Sequence, residues 1–253
     1  MTMTEKPEPP NQAQAEVAQA VAPRPTRHWR ARLFQGYLIA ATLGFAVLFV
    51  LASQFDYFPI DLSITHAVQF LNAGWFATLM AAESYIGYAP QAWVLVVVLA
   101  GLFFLYGLRW EGVMAALAAF GGSALVTAIK FIVRRPRPGA DLVAVVNQLN
   151  SYSFPSGHVV FYTTFFGFLL FLFYTLFKPS PGRTLILVVN GLLIALIGLS
   201  RIYLGNHWAS DVTGAYLLGS VWLAVCVSLY RWGKPRFFVT QPVAPAETAP
   251  GQP

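Results

Sequence analysis

Between two apolar runs lies a stretch, Ser200 to Asp211, that carries Arg201, His207 and Asp211. Each of these is costly to place beside a membrane without a task. His207 and Asp211 are four residues apart, so on a helix they share one face and the carboxylate reaches the imidazole. Arg201, six residues before His207, can approach the same point from the end of the preceding helix. A cation, an imidazole and an orienting carboxylate suit phosphate chemistry. Arginine matches phosphate oxygens two at a time, and histidine can act as a nucleophile.

Two segments upstream add to this. Lys130 sits inside an apolar helical pattern, followed by Arg134, Arg135, Pro136, Arg137 and Pro138. Snorkelling accounts for one lysine near a helix end, but not for the cluster. If the helix continued, Lys130, Arg134 and Arg137 would share a face; Pro136 and Pro138 are expected to break it first. Further on, Pro155, Ser156, Gly157 and His158 open another apolar run. The first N–H groups of a helix lack internal partners and form an anion site, and glycine lets the backbone approach a phosphate closely. His158 stands at the mouth of that site, within reach of a leaving-group oxygen. Taken alone, the tetrapeptide reads as an ordinary helix start.

The rest of the chain must hold these segments in place. Of 253 residues, 57% are hydrophobic and 10% charged, against roughly 25% charged in ordinary soluble domains. This composition indicates an integral membrane protein. The net charge of +6 does not indicate nucleic acid, because the basic residues flank apolar runs and form no continuous face. Cys226, the single cysteine, excludes an intrachain disulfide and reads as small core or lipid-facing filler.

Six spans are expected, each near the roughly 20 residues needed to cross a bilayer: 33–52, 88–108, 112–133, 159–177, 184–200 and 210–230. Residues 55–87 are expected to form amphipathic helices at the outer interface, with Ile64, Val68, Leu71 and Trp75 at helical spacing. His66 reads there as an interfacial side chain and Glu83 as a candidate for the site rim. Gly121, Gly122, Ser123 and Ala124 permit close helix packing, and Asn190 is expected to bond between helices. Residues 1–30 and 237–253 read as disordered cytoplasmic tails around a membrane domain at 31–236. Four arginines, Arg24, Arg27, Arg30 and Arg32, precede the first span, and Lys178, Arg183, Arg231, Lys234 and Arg236 fall on the same side. By the excess of basic residues inside, that side is cytoplasmic and the three polar segments meet outside.

Lys130 to Pro138 has the spacing K-x6-R-P, Pro155 to His158 reads P-S-G-H, and Ser200 to Asp211 reads S-R-x5-H-x3-D. In this order they resemble the three-part signature of the type-2 phosphatidic acid phosphatase superfamily, over roughly residues 33–230. The resemblance implies an all-α, polytopic, six-span fold and metal-independent removal of phosphate from lipid phosphates or diphosphates through a phosphohistidine, with no cofactor. It makes His207 the nucleophile, Asp211 its orienting partner and His158 the general acid. Lys130, Arg137 and Arg201 would hold the phosphoryl oxygens, with Ser156 and the Gly157 N–H. Arg135-Pro136 is a second Arg-Pro, so either Arg135 or Arg137 could face the phosphate; only Arg137 keeps the family spacing. Asn206 and Ala209 stand where the family often has an apolar residue and a proline. The substrate class includes phosphatidic acid, phosphatidylglycerol phosphate and polyprenyl diphosphates, as in undecaprenyl-diphosphatase-like enzymes. The partners are that lipid and the membrane, with no nucleic acid and the oligomeric state left open. The expected location is a bacterial inner (plasma) membrane, the site facing the outside or periplasm and both termini cytoplasmic.

Competing readings are a zinc site from His158, His207 and Asp211, a lipid phosphotransferase on the same site, and a transporter with a polar gate. Three neighbouring cations make a dication unwelcome. A transporter is disfavoured because the ionisable residues gather at one face and leave the membrane centre almost uncharged.

Overall fold

The computed structural model describes residues 25–237. The two expected tails lie outside the described residues except for 25–30 and 237, which are helical. Of the described residues, 25–40 fall in one unit and 41–237 in the other, so the second unit holds every helix after the first. Eight helices run in order: α1 (Pro25–Ala52), α2 (Pro59–Gln69), α3 (Gly74–Tyr85), α4 (Ala89–Leu105), α5 (Arg109–Val133), α6 (Gly157–Leu176), α7 (Pro181–Tyr203) and α8 (Ala209–Phe237). A π-helical turn, Tyr162–Phe166, interrupts α6.

Among the described residues, five helices are long and apolar enough to cross a membrane, and a sixth span results if α3 and α4 count together across their 57° bend. The protein is thus an all-α integral membrane protein. Helix α4 alone has 17 residues, short of the roughly 20 that a span needs. Its start is set by Pro90, which has no N–H to continue a helix from before it. Its end is set at Gly107, whose φ of +76° suits a residue without a Cβ. The single amphipathic pattern expected through Trp75 divides in the structure. Helix α2 stops at Gln69 and α3 begins at Gly74, leaving Leu71 and Trp75 exposed.

Helix α6 is the centre of the bundle. Two thirds of its most apolar window is buried (67%), against 28% for α5 and for α8. Small residues on the surrounding helices let them close on it. A Cβ on Gly219 would lie 2.9 Å from Thr163, and one on Gly122 would lie 3.2 Å from the Thr164 hydroxyl. Gly121 admits Trp222, which would stand 2.4 Å from such a Cβ. In lipid, where apolar burial does not drive helices together, close backbone approach of this kind supplies the packing. Asn190 bonds within its own helix, to the Ile186 carbonyl at 2.7 Å, and so does not bridge helices through that amide. Cys226 is buried.

The two ends of the bundle are pinned differently. At one end Glu111 of α5 receives the Tyr230 hydroxyl at 2.8 Å and Lys234 of α8 at 2.6 Å. At the other end the C-termini of α5 and α7 meet the N-termini of α6 and α8. The loop 134–156 folds over that end, with Val146 N–H on the Leu204 carbonyl and Asn206 on the Asn147 carbonyl. His66 Nε2 lies 2.9 Å from the Leu142 carbonyl of the same loop.

Candidate active site

Helix α5 ends at Val133, and Arg134 turns the chain with a φ of +54°. This left-handed residue sends the following arginines away from the helix axis, so Arg134 and Arg137 do not continue the face of Lys130. Arg134 is exposed and bonds back to the Phe131 carbonyl. Arg137 is carried by the loop to His207, where its Nη1 lies 3.1 Å from Nε2 and donates to the Asn206 carbonyl at 2.6 Å. Its other nitrogens are fixed by Ser151, at 2.7 Å to the carbonyl and 2.8 Å to the hydroxyl. Lys130 Nζ caps the Tyr152 and Ser153 carbonyls. Arg135 points elsewhere, into a buried ion-pair cluster. The geometry therefore sets Arg137, not Arg135, beside the histidine.

The pair His207 and Asp211 meets as the spacing demands, but not on a continuous helix. Helix α8 begins at Ala209. Asp211 lies in its first turn and accepts the Trp208 N–H at 2.9 Å, the favourable place for a carboxylate at a helix start. His207 precedes the helix, its Nδ1 3.5 Å from Asp211 Oδ2 and 3.4 Å from the Ser153 hydroxyl. With Nδ1 facing a carboxylate and Nε2 facing a guanidinium donor, these partners assign the proton to Nδ1 and the free lone pair to Nε2. Burial, then Arg137, Lys130 and Arg201, hold the His207 pKa well below the usual 6.5. That shift favours the neutral imidazole at neutral pH. Burial, with Arg201 adding, lowers Arg137 to about 10, so it stays cationic at neutral pH.

A cavity of about 280 Å³ opens between these groups. Lys130, Arg137, His158, Arg201 and His207 line it together with the apolar Ala89, Ala92, Trp93, Val126 and Phe161. Of the buried polar atoms on residues lining it, Arg201 Nε and Nη2 and His158 Nε2 have no hydrogen-bond partner in the protein, and neither has the hydroxyl of Ser156, the residue before Gly157. Buried donors are almost always paired, so together they outline the place of an anion. Gly157 starts α6 and lines the cavity too. Every residue singled out in the sequence for phosphate chemistry is brought to this one end.

The α3–α4 hinge supplies residues that the sequence did not single out. Ser84 Oγ accepts from Arg201 Nη1. The Tyr88 ring stands edge-on to His158 at 4.9 Å and under Arg201 at 5.8 Å. Gly87 leaves room for His158, since a Cβ there would lie 2.3 Å from its ring. Glu83 is buried in α3 and does not line the cavity; the neighbouring Ser84 is the residue that touches the site. The signal for the hinge was Ile86-Gly87-Tyr88 before Pro90, which marks a helix break but not its destination. Among the described residues no three His, Cys, Asp or Glu side chains are grouped to hold a metal ion.

A family model described as the PAP2 superfamily matches residues 111–235. Decaprenylphosphoryl-5-phosphoribose phosphatase of Mycobacterium tuberculosis is 34% identical over 138 residues, 54% of this chain and 71% of that one. The chain belongs to the PAP2 superfamily. Phosphatidylglycerophosphatase B of Bacillus subtilis is 29% identical over 164 residues, 63% of this chain and 77% of the relative. Among solved structures, a transmembrane PAP2-type phosphatidylglycerolphosphate phosphatase from Bacillus subtilis superposes with a TM-score of 0.69 at 24% identity, covering 79% of this chain and 98% of that one. LpxE of Aquifex aeolicus gives 0.56 at 22% identity, over 68% and 96%. At these identities the two structures share the fold. The PAP2 match spans α5 to α8 and all three motifs; the hinge residues of this PAP2 protein lie before it.

Proposed function

We propose that this protein is a lipid phosphate or lipid diphosphate phosphatase that works through a phosphohistidine and needs no metal. The observation that carries the reading is a buried His207 lining a cavity that Lys130, Arg137, Arg201 and several apolar side chains also line. His207 Nε2 attacks phosphorus as the bond from phosphorus to the lipid oxygen breaks. His158 gives that oxygen its proton. Asp211 receives the positive charge that develops on the imidazole. Lys130, Arg137 and Arg201 neutralise the phosphoryl oxygens, the role that magnesium fills in other phosphoryl transfers. Water then attacks the phosphohistidine with His158 taking its proton, and phosphate leaves.

Relatives named for phosphatidylglycerophosphate and decaprenylphosphoryl-5-phosphoribose support a lipid whose phosphate lies at the membrane surface. The apolar lining from α4 and α5 suits the part of that lipid next to the phosphate. Purified protein in detergent is expected to release phosphate from one or more members of a panel containing phosphatidic acid, phosphatidylglycerol phosphate and a polyprenyl diphosphate. Excess chelator should leave the rate unchanged, and vanadate should inhibit as a transition-state analogue. Activity that chelation abolishes and zinc restores would overturn the metal-free part of this reading.

The same reading sets the site on the outer face of a bacterial inner membrane with both termini cytoplasmic, because basic residues away from the site lie at the opposite end. Cysteines introduced at Asn147 and Ser180 in a Cys226→Ala background are expected to differ. An impermeant thiol reagent applied to spheroplasts should label the first and spare the second; the reverse pattern would invert the topology.

A further inference from the structure

Asp211 is held by more than the histidine beside it. Its Oδ2 accepts the Trp208 N–H and the Ser153 hydroxyl and faces His207. Its Oδ1 takes Arg135 Nη1 at 2.6 Å. Arg135 has a side chain with no exposed surface, and each of its three nitrogens donates a hydrogen bond. Nε donates to the Phe55 and Asp56 carbonyls at 3.2 and 3.1 Å, Nη1 also to Ser210 Oγ at 2.7 Å, and Nη2 to Asp61 Oδ2 at 3.1 Å. Asp61 in turn accepts the Ser210 N–H at 2.8 Å, the Ser210 hydroxyl at 2.7 Å and the Phe58 N–H at 3.1 Å. One guanidinium thus joins two fully buried carboxylates, one from α2 and one from α8. None of the three lines the cavity.

A buried ion cluster is a weak source of stability, since desolvation offsets most of the attraction. What this one does is geometric. It ties down one oxygen of Asp211 and leaves the other directed at His207 Nδ1. We propose that Arg135 is a positioning residue acting through Asp211, and that Asp61 is its counter-charge. The proposal rests on the reading of His207 as nucleophile. Arg135 keeps the Asp211 carboxylate fixed while the imidazole gains charge. Asp61 shares the guanidinium, so that Arg135 does not draw Asp211 away from the histidine. The charged and titratable groups facing Asp211 are Asp61, Lys130, Arg135, Arg137 and His207. With Arg135 gone, Asp61 and Asp211 are two buried carboxylates side by side, which disfavours two negative charges at once. A protonated Asp211 no longer stabilises the phosphohistidine cation.

The test compares the pH dependence of kcat and KM for wild type, Arg135→Met, Arg135→Lys, Asp61→Asn and the double variant Asp61→Asn/Arg135→Met, each checked for folding by thermal unfolding in detergent. Arg135→Met is expected to lose about 10–100-fold in kcat with KM nearly unchanged, the scale seen for residues that orient a functional group. Its acid limb should move to higher pH. Arg135→Lys keeps the cation without the fork; it should recover part of the loss and return the limb toward wild type. Asp61→Asn should show a smaller loss of the same kind. The double variant removes one charge of each sign and should regain stability and move the acid limb back, but kcat should stay well below wild type because Asp211 Oδ1 is still untied. If the double variant recovers wild-type kcat, or the acid limb stays in place in Arg135→Met and Arg135→Lys, the cluster is structural only and the proposal fails. A His207→Ala variant run beside them separates the two readings. Retained activity there overturns the nucleophile; an inactive His207→Ala beside an unaffected Arg135→Met overturns only the role of Arg135.

Discussion

His207→Ala is expected to abolish phosphate release from every lipid phosphate that wild type accepts, with kcat falling by about 10⁶-fold, the scale of losing a covalent nucleophile. The size follows from the site. Lys130, Arg137 and Arg201 still bind the phosphoryl group in the variant, so KM should change little, while the covalent route is closed. The same residue sets a pH signature. His207 reacts as neutral imidazole, and burial with the three cations holds its pKa well below 6.5. The reactive form therefore persists as pH falls through 6.5 and is lost only at the lower folded value. The acid limb of kcat/KM that belongs to His207 should lie well below 6.5. Stability moves the other way over that interval. The unfolded histidine takes up a proton near 6.5 and the folded one does not, so this contribution to stability declines as pH falls below 6.5 toward the folded value. A kcat/KM profile with a limb at the ordinary histidine value would contradict the buried, cation-flanked setting.

The second large effect depends on the substrate. His158→Ala is expected to lose about 10²–10⁴-fold on a lipid phosphate, the usual worth of general acid help. On nitrophenyl phosphate, whose leaving group departs without a proton, the variant should recover much of that loss. The acid role needs a ring nitrogen open to the leaving-group oxygen. His158 Nε2 lies buried with no protein partner, its ring braced by Tyr88 and admitted by Gly87. Equal losses on the two substrates, measured in the same detergent, would remove the acid role.

Legibility in the sequence depended on where each residue sat relative to an apolar run. Lys130, His158, Arg201, His207 and Asp211 were found because each is a costly residue at the edge of a span, and four helix ends at one side of a bundle have few other places to go. The spacing of four between His207 and Asp211 pointed to the right pair by the wrong route. Asp211 reaches back from the first turn of α8 and His207 lies before it. The choice between Arg135 and Arg137 could not be made from spacing, because it turns on the left-handed conformation of Arg134. Asp61, Ser84, Tyr88 and Ser153 carried no signal of their own. They are ordinary residues for their segments, and only tertiary packing brings α2, the α3–α4 hinge and the 134–156 loop to the site. The second span was read as 88–108, which α4 (Ala89–Leu105) matches, but the 57° bend that joins it to α3 and supplies the hinge residues was not read.

If phosphate passes through the enzyme before it reaches water, the steric course at phosphorus must show it. A lipid or aryl phosphate made chiral with three oxygen isotopes is transferred by the wild-type protein to an alcohol acceptor, or the corresponding phosphorothioate, made chiral with two oxygen isotopes, is hydrolysed in water carrying the third. The configuration of the product is then determined. Attack by His207 followed by attack of the acceptor is two in-line displacements, so net retention is expected. Net inversion would mean a single direct displacement, and would contradict a phosphohistidine at His207.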